Sequence, residues 1–166
     1  KRRVGFSWWM DETYVKIKGK WHYLYRAVDK TGDMVDFMLS EKRDKSAATE
    51  FFRKAIGSNS LPEKVTIDKS GANSAGLNTI NFQLLVFSLL GFPLMQIIIR
   101  QIKYLNNIVE QDHRGIKRIT KPMMGFKSFA SASATLAGIE LHRMLRKRQH
   151  TAAEKNIFEQ FYGLTE

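Results

Sequence analysis

Three carboxylates stand where a carboxylate needs a reason. Asp11 interrupts "WWMDETYVKIK", a run otherwise rich in residues that favour pleated structure, and a charge in a buried strand is costly unless something positive sits beside it. Asp68 closes the short run "KVTID", and Glu110 falls in the first turns of a helix predicted to begin at Asn106 or Asn107. Carboxylates brought together repel and raise one another's proton affinity. Divalent cations remove that conflict, and an oxygen-only ligand set suits Mg²⁺ or, as a substitute, Mn²⁺ rather than Zn²⁺. Two such ions about 3.5–4 Å apart activate an attacking oxygen and stabilise a leaving one in an in-line displacement at phosphorus.

The surroundings of Glu110 suit that chemistry. Glu110, His113, Arg114 and Lys117 share one helical face, with Arg118 at its border. An acid followed by cations along one face fits a metal ligand with phosphate-binding groups beside it. A solvated face with local ion pairs is the competing account, and only convergence with the two aspartates displaces it. His113 reads as a surface histidine with a local partner. Glu12 follows Asp11, so the pleat turns it to the opposite face and leaves it a supporting role. Asp29 and Asp33 are explained by turn chemistry. Trp8, Trp9, Trp21, Tyr23 and Tyr25 read as core and cross-strand packing rather than as base-stacking platforms.

The elements that must position these groups follow from periodicity and turn residues. Strands are expected over 8–18, 21–29 and 34–40, with turns at Gly19-Lys20 and at Lys30 to Asp33. "SAATEFFRKAIG" reads as a helix capped by Ser46 and closed by Gly57, and a fourth strand ends at Asp68. Three strands, a helix and a strand make an antiparallel meander followed by a parallel crossover, hence a mixed α/β sheet. A right-handed crossover returns the fourth strand beside the first, which brings Asp11 and Asp68 together.

From Ser70 to Ile99 no residue carries a charge. Its apolar part has roughly the length of a membrane span. Gly91-Phe92-Pro93 splits it, however, and a buried helix over about 76–90 with a buried strand over about 94–102 is the reading taken. A helix ending before Pro122 and a long last helix from Ser128 complete the chain, with a weakly amphipathic tail over 151–166.

The 166 residues fit one domain, and 43% hydrophobic with 26% charged residues is an ordinary globular composition. The net charge of +11 is not ordinary and calls for an anionic partner, nucleic acid first and an anionic membrane surface second. Residues 101–150 carry ten Lys/Arg against three Asp/Glu, a net of +7, so the polyanion-facing surface belongs to the C-terminal half. Arg143, Arg146, Lys147 and Arg148 form a basic cluster that helix-dipole placement explains in part. With no cysteine there is no disulfide framework and no thiolate metal site.

Five blocks, "MDETYVKIKGKWHYLYRAVDKTG", "DFMLSEKRDKSAA", "TIDKSGA", "RQIKYLNNIVEQDHRGIKRIT" and "GFKSFASASATLAGIE", occur in an order that resembles the catalytic domain of bacterial DDE-type insertion-sequence transposases. The group resembled is the cointegrate-forming one, within the integrase and RNase H-like superfamily. The resemblance covers about residues 8–148. It implies an RNase H-like fold with a mixed five-stranded sheet, three antiparallel strands and then parallel ones, flanked by helices. It implies Asp11, Asp68 and Glu110 as catalytic metal ligands, two Mg²⁺ ions, and metal-dependent DNA cleavage and strand transfer. Lys117, with Arg114, Arg118 and Lys121, is expected to hold DNA.

The partners so implied are the element's ends and target DNA, bound by a homo-oligomer when active, without a membrane. The setting implied is the bacterial cytoplasm, at the nucleoid. The catalytic domain is expected over 1–150, with the tail at 151–166 and the group's upstream helix-turn-helix region absent. Two departures motivate the alternative of a decayed fragment that binds DNA non-specifically: that absence, and the 41 residues between Asp68 and Glu110, a longer interval than is usual in the group.

Overall fold

The computed structural model describes residues 3–102 and 107–149, with the backbone but not the side chains of Asn107, Ile108, Glu110 and Asp112. Strands β1 (Ser7–Ile17), β2 (Lys20–Asp29) and β3 (Met34–Ser40) form an antiparallel meander. Helix α1 (Lys45–Ser58) then crosses over to β4 (Lys64–Ile67), which pairs with β1 in parallel. Helix α2 (Gly71–Leu89) leads to β5 (Ile98–Gln101), parallel to β4. The sheet order is β3-β2-β1-β4-β5, the mixed five-stranded arrangement expected. Helix α3 (Asn107–Thr120), a 3-10 turn (Lys121–Met123) and helix α4 (Phe129–Arg146) follow. The tail over 151–166 lies outside the described residues.

Strand alternation sorts the residues of β1 to two sides. Trp8 and Met10 join a core with Phe51, Phe52, Val65 and Leu77, whereas Val15 and Ile17 join a second core with Ile116, Leu136 and Ile139. The first side is covered by α1 and α2, the second by α3 and α4. Gly76 makes the α1–α2 approach possible, because a Cβ there would lie 2.9 Å from the Cβ of Ala48. On the other side, Gly125 takes a φ of +108° and brings Phe126 alongside the end of β1. Phe126 N donates to Lys16 O and Lys18 N donates to Phe126 O, each at 2.8 Å.

Several local expectations need correction. The cap of α1 is Asp44 rather than Ser46: its Oδ1 accepts from Ala47 N at 2.9 Å, so the helix begins two residues earlier and runs through Gly57. Helix α4 carries a capping box between Ser128 and Ser131 and stops at Arg146.

The largest departure concerns the uncharged stretch. Helix α2 starts at Gly71, and only its first half is buried, through Asn73, Gly76, Leu77 and Ile80. Phe82, Phe87, Leu89, Leu90, Phe92 and Leu94 are exposed, and so is Ile98 on the edge strand β5. The sheet and α1 are too small to cover the far half of a helix that carries no charge and no single apolar face. No helix among the described residues is long and apolar enough to cross a membrane.

Candidate active site

The pairing of β1 with β4 ends at Trp9 opposite Thr66. Two residues further along each strand stand Asp11 and Asp68, at the same end of neighbouring parallel strands, which lie about 4.8 Å apart in a sheet. Asp68 follows β4 directly, and its Oδ1 accepts from Ser70 N at 3.0 Å, which fixes the turn into α2. Its side chain is 41% exposed and that of Asp11 20% exposed, so both carboxylates open towards solvent at the sheet end.

The neighbours of these acids were only partly foreseeable. Asp11 faces α3, and His113 Nδ1 lies 3.8 Å from Asp11 Oδ2. His113 is buried, which corrects its reading as a surface residue with a local partner. The signal that could have found it is its place four after Val109 and three before Ile116 on one helical stripe. Val109, His113 and Ile116 form the inward stripe of α3, while Arg114, Lys117 and Arg118 are exposed on its flank, and Lys121 is exposed just beyond it. The Glu110 backbone lies one turn before His113, about 4.5 Å along the helix axis; its carboxylate lies outside the described side chains.

Glu12 points to the α1 side, as the pleat requires, and is almost fully buried. Arg43, just ahead of α1, lays its Nε 3.2 Å from Glu12 Oε1 and its Nη2 3.8 Å from Asp68 Oδ2. Burial disfavours the charge on Arg43, but Glu12 beside it, and Asp68 more weakly, raise its pKa above the ordinary value. Arg43 thus ties the Asp68 turn to the back of the strand that carries Asp11. Sequence reasoning missed it, because nothing in the spacing of "EKRDK" shows which strand its cation reaches.

Helix α3 is held in place from behind by α4. The Arg26–Glu140 pair, at 2.9 Å and 1% exposure on each side, joins β2 to α4. A Cβ on Gly115 would run into the guanidinium of Arg143, so the glycine is what lets α4 reach over α3. Lys147 Nζ donates to Gly32 O at 2.5 Å. Two members of the C-terminal basic cluster therefore serve packing, leaving Arg146 and Arg148 exposed to solvent.

Among the described residues no three His, Asp or Glu side chains are close enough to hold a metal ion by themselves. Asp11 and Asp68 nevertheless supply hard oxygen donors at one open strand end, which fits Mg²⁺ or Mn²⁺ and leaves room for a ligand from another element.

The family model described as "DDE domain" matches residues 5–149. The chain belongs to the DDE family of bacterial insertion-sequence transposases. It is 35% identical over 154 residues to the transposase for insertion sequence-like element IS431mec of Staphylococcus aureus, an alignment covering 92% of this chain and 63% of that protein. The chain thus spans less than two thirds of the relative's length. Among solved structures it is similar to a chain of the simian T-cell lymphotropic virus intasome in complex with PP2A regulatory subunit B56 gamma, with TM-score 0.53, 19% identity and coverage of 71% of this chain and 42% of that one. It is also similar to the HTLV-2 integrase catalytic core domain in complex with magnesium, dimeric form, with TM-score 0.50, 20% identity and coverage of 70% of each chain. At such identities the likeness speaks to the fold, which is RNase H-like.

Proposed function

We propose that this transposase domain cleaves DNA at the ends of an insertion sequence and transfers the freed 3′-hydroxyl to target DNA, with Asp11, Asp68 and Glu110 as ligands of two Mg²⁺ ions. The observation that supports the reading is the register of β1 against β4, whose last pair, Trp9 with Thr66, stands two residues before Asp11 and Asp68 on adjacent parallel strands. The bound ions, which Mn²⁺ could replace, would sharpen an attacking oxygen and offset charge on a leaving one. Everything else falls to the protein. Asp11 and Asp68 are held by strand and turn, so their oxygens need little reorganisation. His113, against Asp11, orients that carboxylate from behind. Arg114, Lys117, Arg118 and Lys121 are exposed cations on one flank of the site and suit phosphate oxygens on either side of the scissile bond.

The proposed partners are the element's ends and target DNA, in the bacterial cytoplasm at the nucleoid. A homo-oligomeric active form is supported by the exposed apolar surface of the second half of α2, a kind of patch that marks association sites. The catalytic unit is proposed to run over 1–150, with 151–166 as its tail. The test is strand transfer on end-containing DNA in Mg²⁺. Asp11→Ala and Glu110→Gln should each remove product formation while leaving the melting transition in place. Product formed at the wild-type rate by either variant would refute the assignment.

A further inference from the structure

The β1–β2 hairpin outruns the rest of the sheet. Beta pairing of β1 with β2 continues to Ile17 opposite Lys20, whereas β4 accompanies β1 only as far as Trp9. Beyond β4 the flank of β1 faces a groove of about 550 Å³. Tyr14, Lys16 and Trp21 line one side, and Lys117, Lys121 and Met124 line the other.

The composition of this groove is unlike that of a packing defect. Trp21 is 61% exposed and Tyr14 52% exposed, although large aromatics on a sheet are usually covered. The two rings meet edge to face at 6.2 Å, and Lys16 Nζ lies 5.9 Å from the centre of the Trp21 ring. Trp21 lies outside the core, while the cross-strand packing expected of it is made with Lys16, its pairing partner, and with Tyr14. Among the described residues, three lysines line the groove and no carboxylate does. Such a surface asks for a ligand that is at once anionic and flat. A nucleic-acid strand has both properties, but offers the face of a base only where that base is unpaired. An apolar peptide would leave the lysines without a role.

We propose that this groove binds an unpaired nucleotide next to the scissile bond, with its base on Trp21 and Tyr14 and its phosphates on Lys16, Lys117 and Lys121. The proposal rests on the reading of the chain as a DNA-cleaving domain and extends it. Tyr14 lies three strand residues from Asp11, about 10 Å along β1 and on the other face of its pleat, so a strand passes from the groove to the aspartates around the flank of β1 that β4 leaves open.

The test uses fluorescence anisotropy of the full-length protein at one fixed salt concentration. The probes are a labelled single-stranded thymidine oligomer of about 15 nucleotides and a duplex of equal length. Trp21→Ala should weaken single-strand binding about tenfold or more while duplex binding changes by less than about twofold. Trp21→Phe should restore most of the loss, and Lys117→Ala should weaken both probes. Equal loss on both probes, or unchanged single-strand affinity in Trp21→Ala, overturns the groove assignment. Failure of the wild-type protein to bind either probe overturns the nucleic-acid reading as well. Intact single-strand binding in Trp21→Ala, with cleavage still abolished by Asp11→Ala, removes the groove alone.

Discussion

The two sides of the sheet are built on different principles. On the side of α1 and α2, the core is largely apolar, with Trp8, Met10, Tyr25, Phe51 and Phe52 in one cluster and a glycine between the helices, and its ion pair, Glu12 with Arg43, sits on a half-exposed arginine. On the side of α3 and α4, a smaller aliphatic core surrounds an ion pair, a histidine against an aspartate, and an arginine laid over Gly115. The first side makes the sheet rigid. The second uses charge and directional contacts to fix how α3 sits over Asp11. A reactive site needs both, because a rigid platform alone does not set the position of the element facing it.

Substitutions separate the two principles, and the largest effect belongs to the apolar side. Phe51→Ala should cost about 3–5 kcal/mol in denaturant unfolding through cavity formation. Glu140→Ala should approach that figure on the polar side, about 3–5 kcal/mol, because Arg26 loses its buried carboxylate. The double replacement Arg26→Met with Glu140→Leu sharpens the contrast. It should recover most of the stability, since an apolar pair of similar volume often matches a buried ion pair. If the double variant is as unstable as Glu140→Ala, the pair is not acting as a unit and the comparison fails.

Gly115→Ala is next in size. The helix propensity of alanine would stabilise α3 by up to about 1 kcal/mol, but the new methyl runs into Arg143. A net loss of about 1–3 kcal/mol is expected from overpacking, with a drop in strand transfer as α3 shifts. A stabilised variant with full activity would show that Arg143 moves aside freely.

The smallest effect is tied to pH. Burial would raise the pKa of Asp29, but hydrogen bonds from Gly5 N, Thr31 Oγ1, Asp33 N and Thr31 N outweigh it and lower the value below the ordinary range. A lowered folded-state value means that the stabilisation is complete above the unfolded-chain pKa, near about 4, and is lost as pH falls through the folded value. Asp29→Asn should therefore cost about 1–3 kcal/mol at neutral pH, and the difference from wild type should shrink in thermal melts below about pH 4. A difference that stays constant down to acid would contradict the role given to the charge.

Much of this architecture could be read from the residues. Alternation in "VKIKGK", the turn at Gly19 and the Asp29–Asp33 turn mark the hairpins, and crossover handedness alone puts β4 beside β1. What escaped depends on tertiary extent. Helix α2 is uncharged and lacks a single apolar face, so its pattern holds no statement of which half is covered. Trp21 and Lys16 face each other in a part of the hairpin that β4 is too short to reach, and strand length is poorly marked in sequence. Asp44 and Ser46 are both good capping residues two positions apart, so local chemistry could not choose between them. His113 became legible only once α3 lay against β1.

The central claim is that Asp11, Asp68 and Glu110 act together as a metal site, while Glu12, on the reverse of the same strand, does not. Calorimetric titration of Mn²⁺ into the full-length protein tests it most directly. The account predicts that Asp11→Asn, Asp68→Asn and Glu110→Gln each weaken binding strongly and that Glu12→Gln leaves it unchanged. Wild-type affinity in Glu110→Gln, or an equal loss in Glu12→Gln, would contradict it.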